Sequence, residues 1–557
     1  MPLVSVVLSC CALFAAGYLV YARFLSRWFG LTAERPTPAC ELTDGVDFVP
    51  AKAPLLLGQH FSAIAAAGPI VGPILGGLWF GWLPALLWIV FGAIFFGAVH
   101  DFSALVSSVR HQARSIVELV HEELGPRAHL MFMGFVWLSL IYVIIAFTDL
   151  TSSSFVEPTH GAAVASSSSL YLLAALAMGV CLYKARMPLA LATAIFLPIV
   201  GMIIWGGQLL PLAMPSIAGL RPQLLWNGVI LTYCFVASVI PLWLLLQPRG
   251  YLGGFFLYVT LAAGIVGLLI GGDTVRYPAV LGWTSQQGFP LFPMLFVTVA
   301  CGACSGFHGI VSSGTTSKQI AREPDCRIVG YGGMLLEGLV AVIALATVMV
   351  LVPGDPSAQQ SPDRVYANGL SQFVGRLGIA PELARSFVLL AFATFIYDTL
   401  DVATRLGRYV FQELTGWKGR WGSIVATLCT LALPAVSVSW TMTDPAGNII
   451  PAWRVFWTLF GTSNQLLAAL TLLTVTVWWR RTRRGSGRVW LVSAVPAGLL
   501  LVMTLWSLGL MVQPWIGGVL TGRLTPPSGI VSISVVLLVL AVWILVEGGK
   551  SFFRPAR

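Results

Sequence analysis

Six short segments place ionisable or polar side chains inside otherwise apolar sequence. Gln59-His60 lies in Gly58-Gln-His-Phe-Ser-Ala. His100-Asp101 lies in Gly97-Ala-Val-His-Asp-Phe-Ser103, and His308 precedes a run of hydroxyls, Ser312, Ser313, Thr315 and Thr316 around Gly314. Glu337 follows Gly330-Tyr-Gly-Gly333. Asp398 and Asp401 sit three apart, with Arg405 one turn beyond Asp401, so all three share a helix face. Asn464-Gln465 is expected to act as a hydrogen-bonding link between helices. Each ionisable group at the centre of a bilayer costs roughly 2.5 kcal/mol or more, so these positions point to carriage of protons, cations or a charged solute. Asp101, Glu337 and Asp398, with Ser312 and Ser313, are the candidate ion-coupling residues. Plainer readings stand beside these. Asp401 pairs with Arg405, the hydroxyls serve backbone carbonyls, Glu337 is a hydrogen-bonded acid, and His60 is a satisfied polar residue at a helix entrance.

Such side chains need elements that bring them to one depth. Gly58 to Gly76 has spanning hydrophobicity yet contains Pro69 and Pro73. Each proline removes a backbone donor and clashes with the preceding turn, and a lipid-crossing helix must satisfy its own backbone. A helix interrupted near Gly68–Pro73, facing a cavity, is expected. Tyr233 to Tyr251 is the second candidate, with Pro241 just after Ser238. Transporter sites are built from such discontinuous helices. The candidate substrate contacts are therefore Gln59, His60, Gly68, Gly72, Ser238 and Trp243, with amide ends of half-helices meeting a carboxylate.

Apolar runs of spanning length recur from end to end. The hydrophobic fraction is 57% and the charged fraction 10%, which excludes a water-soluble fold. The pattern predicts an all-α polytopic membrane protein of about fifteen spans, including 57–76, 224–246, 291–314, 330–353 and 385–405. Spans two and seven would then be the interrupted ones. They lie an odd number of spans apart and cross in opposite directions, which fits two inverted five-helix repeats, 57–208 and 224–405, inside a core of 51–410. The segments 1–50 and 411–557 would be peripheral. The net charge of +10 follows the positive-inside pattern and does not point to nucleic acid. Basic residues such as Arg35, Arg110, Arg249, Lys318 and the run Arg480–Arg488 fall in alternate loops. The N-terminus is thus expected outside and the C-terminus inside. Met1 to Ala22 reads as a retained span rather than a signal peptide.

Nine cysteines are scattered. Cys301-Gly-Ala-Cys304 lacks a second pair and reads as packing, not zinc. There is no P-loop, HExxH, histidine box, voltage-sensor repeat or TVGYG-like filter. No cofactor or resident metal is expected, beyond H⁺ or Na⁺ as the coupling ion. The oligomeric state is unknown from the sequence.

The stretches GQHFSAIAAAGPIVGPILGGLWFGWLPALLW (58–88), GAVHDFSALVSSVRHQARS (97–115), SVIPLWLLLQPRGYL (238–252), SGFHGIVSSGTTSKQIAREPD (305–325), IVGYGGMLLEGLVAVIAL (328–345) and WTLFGTSNQLLAAL (457–470) resemble the carbon starvation protein A (CstA) family of bacterial inner-membrane transporters. Gln59 and Gly250 depart from that pattern. The resemblance implies uptake of small nutrients, either peptides or pyruvate with protons, and a fold of the LeuT/APC type. The expectation is a secondary active importer, not an enzyme, working by cation-coupled, chiefly proton-coupled, alternating access. An uncoupled channel, a membrane nutrient sensor and an intramembrane enzyme are the alternatives.

Overall fold

The computed structural model describes residues 1–553 except 45–47, 66, 218, 242, 441, 444–448, 483–489 and 522–528. Among the described residues, thirteen unbroken helices are long and apolar enough to cross a membrane. The bent pair Ala53–Ile64 and Gly68–Phe80 makes a fourteenth span. A further pair of half-helices, Leu291–Thr298 and Gly306–Val311 with a π turn at Ser312–Thr316, is numbered with them as a second interrupted segment. Spans are numbered in chain order. The two interrupted ones are span 2 (2a, Ala53–Ile64; 2b, Gly68–Phe80) and span 9 (9a, Leu291–Thr298; 9b, Gly306–Thr316). The basic run 480–488 lies largely outside the described residues.

The break in span 2 falls one turn before the expected stretch. Helix 2a stops at Ile64, and 2b resumes at Gly68 at an angle of 51°. Pro69 then occupies the first turn of 2b, where a missing N–H costs nothing. Pro73 is accommodated inside 2b.

Pro241 does not break a span. Span 7 (Pro222–Val239) is continuous, and Ile240 is extended, as a residue before proline prefers. Pro241 lies in the link to span 8 (Leu246–Gly271). Two arginines of span 11 (Pro381–Thr415) fix this end. Arg405 Nη2 donates to Ala237 O at 2.5 Å and Ile240 O at 2.7 Å, and Arg408 Nη1 donates to Ser238 O at 2.6 Å. These are carbonyls that a helix C-terminus leaves without a partner. Arg405 therefore caps span 7 and is not the partner of Asp401.

The second interruption is Val299–Ser305 in span 9, where no proline occurs. Its freed backbone is satisfied by span 13 (Ala452–Thr482). Asn464 Oδ1 accepts from Phe307 N at 2.9 Å, Asn464 Nδ2 donates to Ser305 Oγ at 3.0 Å, and Gln465 Nε2 donates to Phe296 O at 2.8 Å. Span 13 was expected at the periphery. It is the most enclosed of the thirteen unbroken spans, 94% of its apolar window being buried, because it must reach these groups. Span 15 (Gly529–Phe553), at 22%, is indeed outermost among the C-terminal helices.

The interrupted spans cross each other directly. Added β-carbons on Gly68, Gly72 and Gly76 would lie 2.3 Å from Cys301 Sγ, 2.5 Å from Thr298 O and 2.6 Å from Val299 Cγ2. Gly68 meets Cys301 whereas Gly76 also meets Leu295 Cδ1 at 3.4 Å, so 2b runs antiparallel to 9a and its unwound continuation. A stripe of small residues at every fourth position permits this approach. The pairing also gives Cys301 its role as a packing partner. The two interruptions lie seven spans apart, again an odd number. The bounds 57–208 and 224–405 for matching halves had rested on Pro241 and lose that support.

Charged clamps hold the ends of the bundle. On one side Glu323 Oε1 accepts from Arg35 Nη1 at 2.6 Å and Arg110 Nε at 2.7 Å. This ties the end of span 1 (Leu3–Phe29) to span 3 (Trp82–Arg110) and span 10 (Glu323–Met349). At the other side Arg376 Nη2 donates to Asp273 Oδ1 at 2.7 Å, seating the amphipathic helix Pro362–Gly375 against span 8.

Candidate functional site

Two buried polar clusters flank half-helix 2a. The first gathers side chains from spans 3, 9b and 10. π turns, which are frequent at functional sites, precede or follow its members: Ala93–Gly97 just before His100, Ser312–Thr316 in 9b, and Arg327–Gly332 before Glu337. His100 Nδ1 and His308 Nδ1 each lie 2.8 Å from one oxygen of Asp101. His308 Nε2 lies 2.9 Å from Glu337 Oε2. All four side chains are at most 1% exposed. An ionised Asp101 only accepts, so both Nδ1 atoms donate. The His308–Glu337 contact then holds one proton in either of two places. It sits on Nε2 of an imidazolium facing a carboxylate, or on Glu337 facing a neutral ring.

His308, Ser312 and Thr316 descend one face of 9b at intervals of four. Thr316 Oγ1 meets His60 Nδ1 at 2.9 Å. Gly333, four residues before Glu337, lets His60 pack against span 10, since an added β-carbon would lie 3.0 Å from His60 Cδ2. Along this path His60 Nε2, His100 Nε2, Ser312 Oγ and Glu337 Oε1 are buried without a hydrogen-bond partner. Orphaned buried atoms are rare, and four of them lie along this path. Among the described residues no group of three or more His, Cys, Asp or Glu converges as a metal-binding set.

The second cluster centres on Arg249 in the first turn of span 8. Arg249 Nε and Nη2 lie 2.8 and 2.6 Å from Asp398 Oδ1, and Nη1 lies 2.5 Å from Asp401 Oδ2. Tyr233 Oη donates to Asp401 Oδ2 at 2.8 Å and also contacts Arg249. Ser62 of half-helix 2a donates to Asp398 Oδ2 at 3.0 Å. Tyr171 Oη donates to Arg249 O at 2.7 Å. Arg249 is 1% exposed. In the sequence it passes for a loop charge, since it lies beside Gln247-Pro248 at a span boundary. The signal for its burial was the pair Asp398/Asp401, which needs a cation that Arg405 does not supply.

The candidates thus separate. Asp101, Glu337, Ser312 and His60 join the first cluster, and Asp398 belongs to the second. Ser313 is structural. Its Oγ accepts from Ile116 N at 2.9 Å and donates to Gly309 O at 2.6 Å. Gln59 is half-buried, with Oε1 lacking a partner. Gly68 and Gly72 serve the helix crossing and leave no room for a ligand at their α-carbons. Ser238 sits at the end of span 7, its Oγ 3.3 Å from Thr427 Oγ1. Trp243 packs on Tyr183 with ring centroids 5.5 Å apart. Neither joins the crossing of spans 2 and 9, because Pro241 ends a helix instead of opening one.

These features define a polytopic all-α membrane protein with two discontinuous helices and ionisable clusters buried between them. The family model described as "Carbon starvation protein CstA" matches residues 3–365 and 355–507, and the chain belongs to that family. It is 32% identical to the "Peptide transporter CstA" of Helicobacter pylori (strain J99 / ATCC 700824), over 91% of this chain and 82% of that protein. It is 32% identical to the Escherichia coli (strain K12) protein of the same name, over 90% and 80%. It is 30% identical to the "Pyruvate/proton symporter BtsT" of Escherichia coli (strain K12), over 88% and 80%. Among solved structures it is similar to MhsT in complex with L-phenylalanine (TM-score 0.49, 13% identity, 82% of this chain and 99% of that one). It is also similar to a mutant of the Eremococcus coleocola manganese transporter (TM-score 0.46, 14% identity, 92% and 99%).

Proposed function

We propose that the protein is a secondary active transporter of the bacterial inner membrane, importing a small carboxylate-bearing nutrient by proton-coupled alternating access. The substrate class is that in the names of its relatives, pyruvate or peptide. The observation that carries the reading is the buried series Asp101–His308–Glu337, set between two interrupted helices. A proton moving between His308 and Glu337 changes the charge on span 10 relative to 9b. Such a charge change biases one packing of the half-helices over another, which is what a coupled carrier needs. All members are at most 1% exposed, which suits a carrier that passes through an occluded state. Relatives named as transporters support a non-enzymatic role. The distribution of basic loops supports an N-terminus outside and a C-terminus inside.

Purified protein in liposomes tests this with labelled pyruvate and a labelled dipeptide, imposing H⁺ and Na⁺ gradients separately. Accumulation driven by an inward proton gradient is the expected result. Flux indifferent to every gradient identifies a channel instead, and accumulation driven by Na⁺ alone moves the coupling to Ser312 and Thr316. Failure to move either solute under any gradient removes the transport assignment.

A further inference from the structure

The Arg249 cluster is not needed for the proton series above, yet it holds the most deeply buried arginine among the described residues. Its charge balance is informative. One guanidinium faces two carboxylates, a sum of −1. The next cation, Arg405, spends its hydrogen bonds on the carbonyls of Ala237 and Ile240, but its positive charge still acts on Asp401 and offsets the remainder. The other titratable groups facing the cluster are Tyr171 of span 5 (Gly161–Tyr183), Tyr233 and Cys234 of span 7 and Tyr397 of span 11. All are neutral in their ordinary protonated forms. Half-helix 2a adds only the neutral Ser62. An unbalanced charge among apolar helices is costly, and Arg249 and Arg405 together balance Asp398 and Asp401 in the closed cluster. The four carboxylate oxygens differ in their partners. Three have donors, and Asp401 Oδ1 is buried with none.

We propose that Arg249 is the receptor for the substrate carboxylate, and that a proton taken by Asp398 releases it for that role. This deepens the transport reading and rests on it. Asp398 holds Arg249 through Nε and Nη2 and is held in turn by Ser62, three residues before the break of span 2. Protonation turns Asp398 from an acceptor of charged donors into a neutral acid and frees the planar fork of Arg249. A substrate carboxylate then takes the fork in bidentate fashion. The same step removes the anion that held Ser62, so 2a is released as the substrate arrives. The charges balance. Before the exchange, Arg249⁺ and Arg405⁺ face Asp398⁻ and Asp401⁻. Afterwards they face the substrate carboxylate, Asp401⁻ and a protonated Asp398. One proton therefore enters with each monocarboxylate, and the complex stays neutral. A zwitterionic dipeptide brings its ammonium as well and moves one net positive charge.

The test uses the full-length protein, calorimetric binding of pyruvate from pH 6 to 8.5, and charge movement on a supported membrane. Wild-type affinity for pyruvate should fall about tenfold per pH unit in the alkaline range, the slope of one linked proton. Asp398→Asn should bind pyruvate with no such slope, lose proton-driven accumulation and retain pyruvate exchange. Arg249→Gln paired with Asp398→Asn keeps the cluster neutral and folded, and should not bind pyruvate. Pyruvate entry should carry no net current, and dialanine entry an inward one. The receptor assignment falls if Asp398→Asn keeps the wild-type slope, or if the paired variant binds pyruvate as wild type does. A pyruvate current overturns the one-to-one balance. These results stand apart from the broader reading while wild type still transports. Wild type that neither binds nor moves pyruvate or dialanine overturns both.

Discussion

At the residue scale, the useful distinction is between buried groups whose partners are complete and those left with a lone pair or proton to give. Arg405 and Arg408 are complete, with their bonds going to helix-end carbonyls. His308 is not, since one ring nitrogen is fixed by Asp101 while the other faces an acid that exchanges a proton with it. Glu337→Gln keeps the shape and removes that exchange. We expect proton-driven uptake to fall to background while counterflow exchange persists, measured side by side in the same liposomes. Loss of exchange as well would assign Glu337 to binding rather than coupling. Sequence reasoning found Asp101, His308, Glu337 and Asp398 because each is an ionisable group inside apolar sequence. It missed Arg249 because a cation at a span boundary is indistinguishable from an orientation signal until span 11 is seen against it.

At the element scale, the crossing of 2b with 9a is set by contact with backbone. Gly72 faces the carbonyl of Thr298, which cannot rotate away. Gly72→Leu should cost about 3 kcal/mol or more, seen as loss of monodisperse protein by size-exclusion chromatography. Gly58→Ala meets only Tyr258, its Oη at 3.4 Å, and should be tolerated. The turn between span 4 (Pro126–Phe155) and span 5 offers a pH test outside the membrane. Burial by itself would raise the Glu157 carboxyl, but the N–H groups of His160 and Thr159 hold it below its ordinary 4.5. A depressed carboxylate stabilises the fold above about pH 4.5 and loses that contribution as pH falls through its lower folded value. Glu157→Gln should therefore lower the melting temperature at pH 7, and the difference from wild type should shrink towards pH 3. An equal difference at both pH values would place the role of Glu157 in packing. The interruption of span 2 was legible because proline announces it. That of span 9 was not, because Cys301-Gly-Ala-Cys-Ser-Gly306 carries no breaker that sequence rules weigh heavily. Its small residues next to His308 were the available signal.

At the scale of the whole molecule, the gathering of basic loops on one side gives an orientation that chemistry can check. Cys40, exposed after span 1, lies on the basic side and should face the cytoplasm. In a variant retaining only Cys40, a membrane-impermeant maleimide should label it after permeabilisation and not in intact cells. Labelling of intact cells would invert the topology. The sequence by itself determined the all-helical membrane class, the spans, the family and most of the buried ionisable residues. Those depend on transfer free energy and local pattern, which are properties of each segment alone. Only the tertiary structure decided which helix beside span 2 is broken, that span 13 repairs it, and that Arg249 answers Asp398 and Asp401. Those outcomes depend on which polar group in one segment can reach an unsatisfied partner in another, and no single segment encodes that distance.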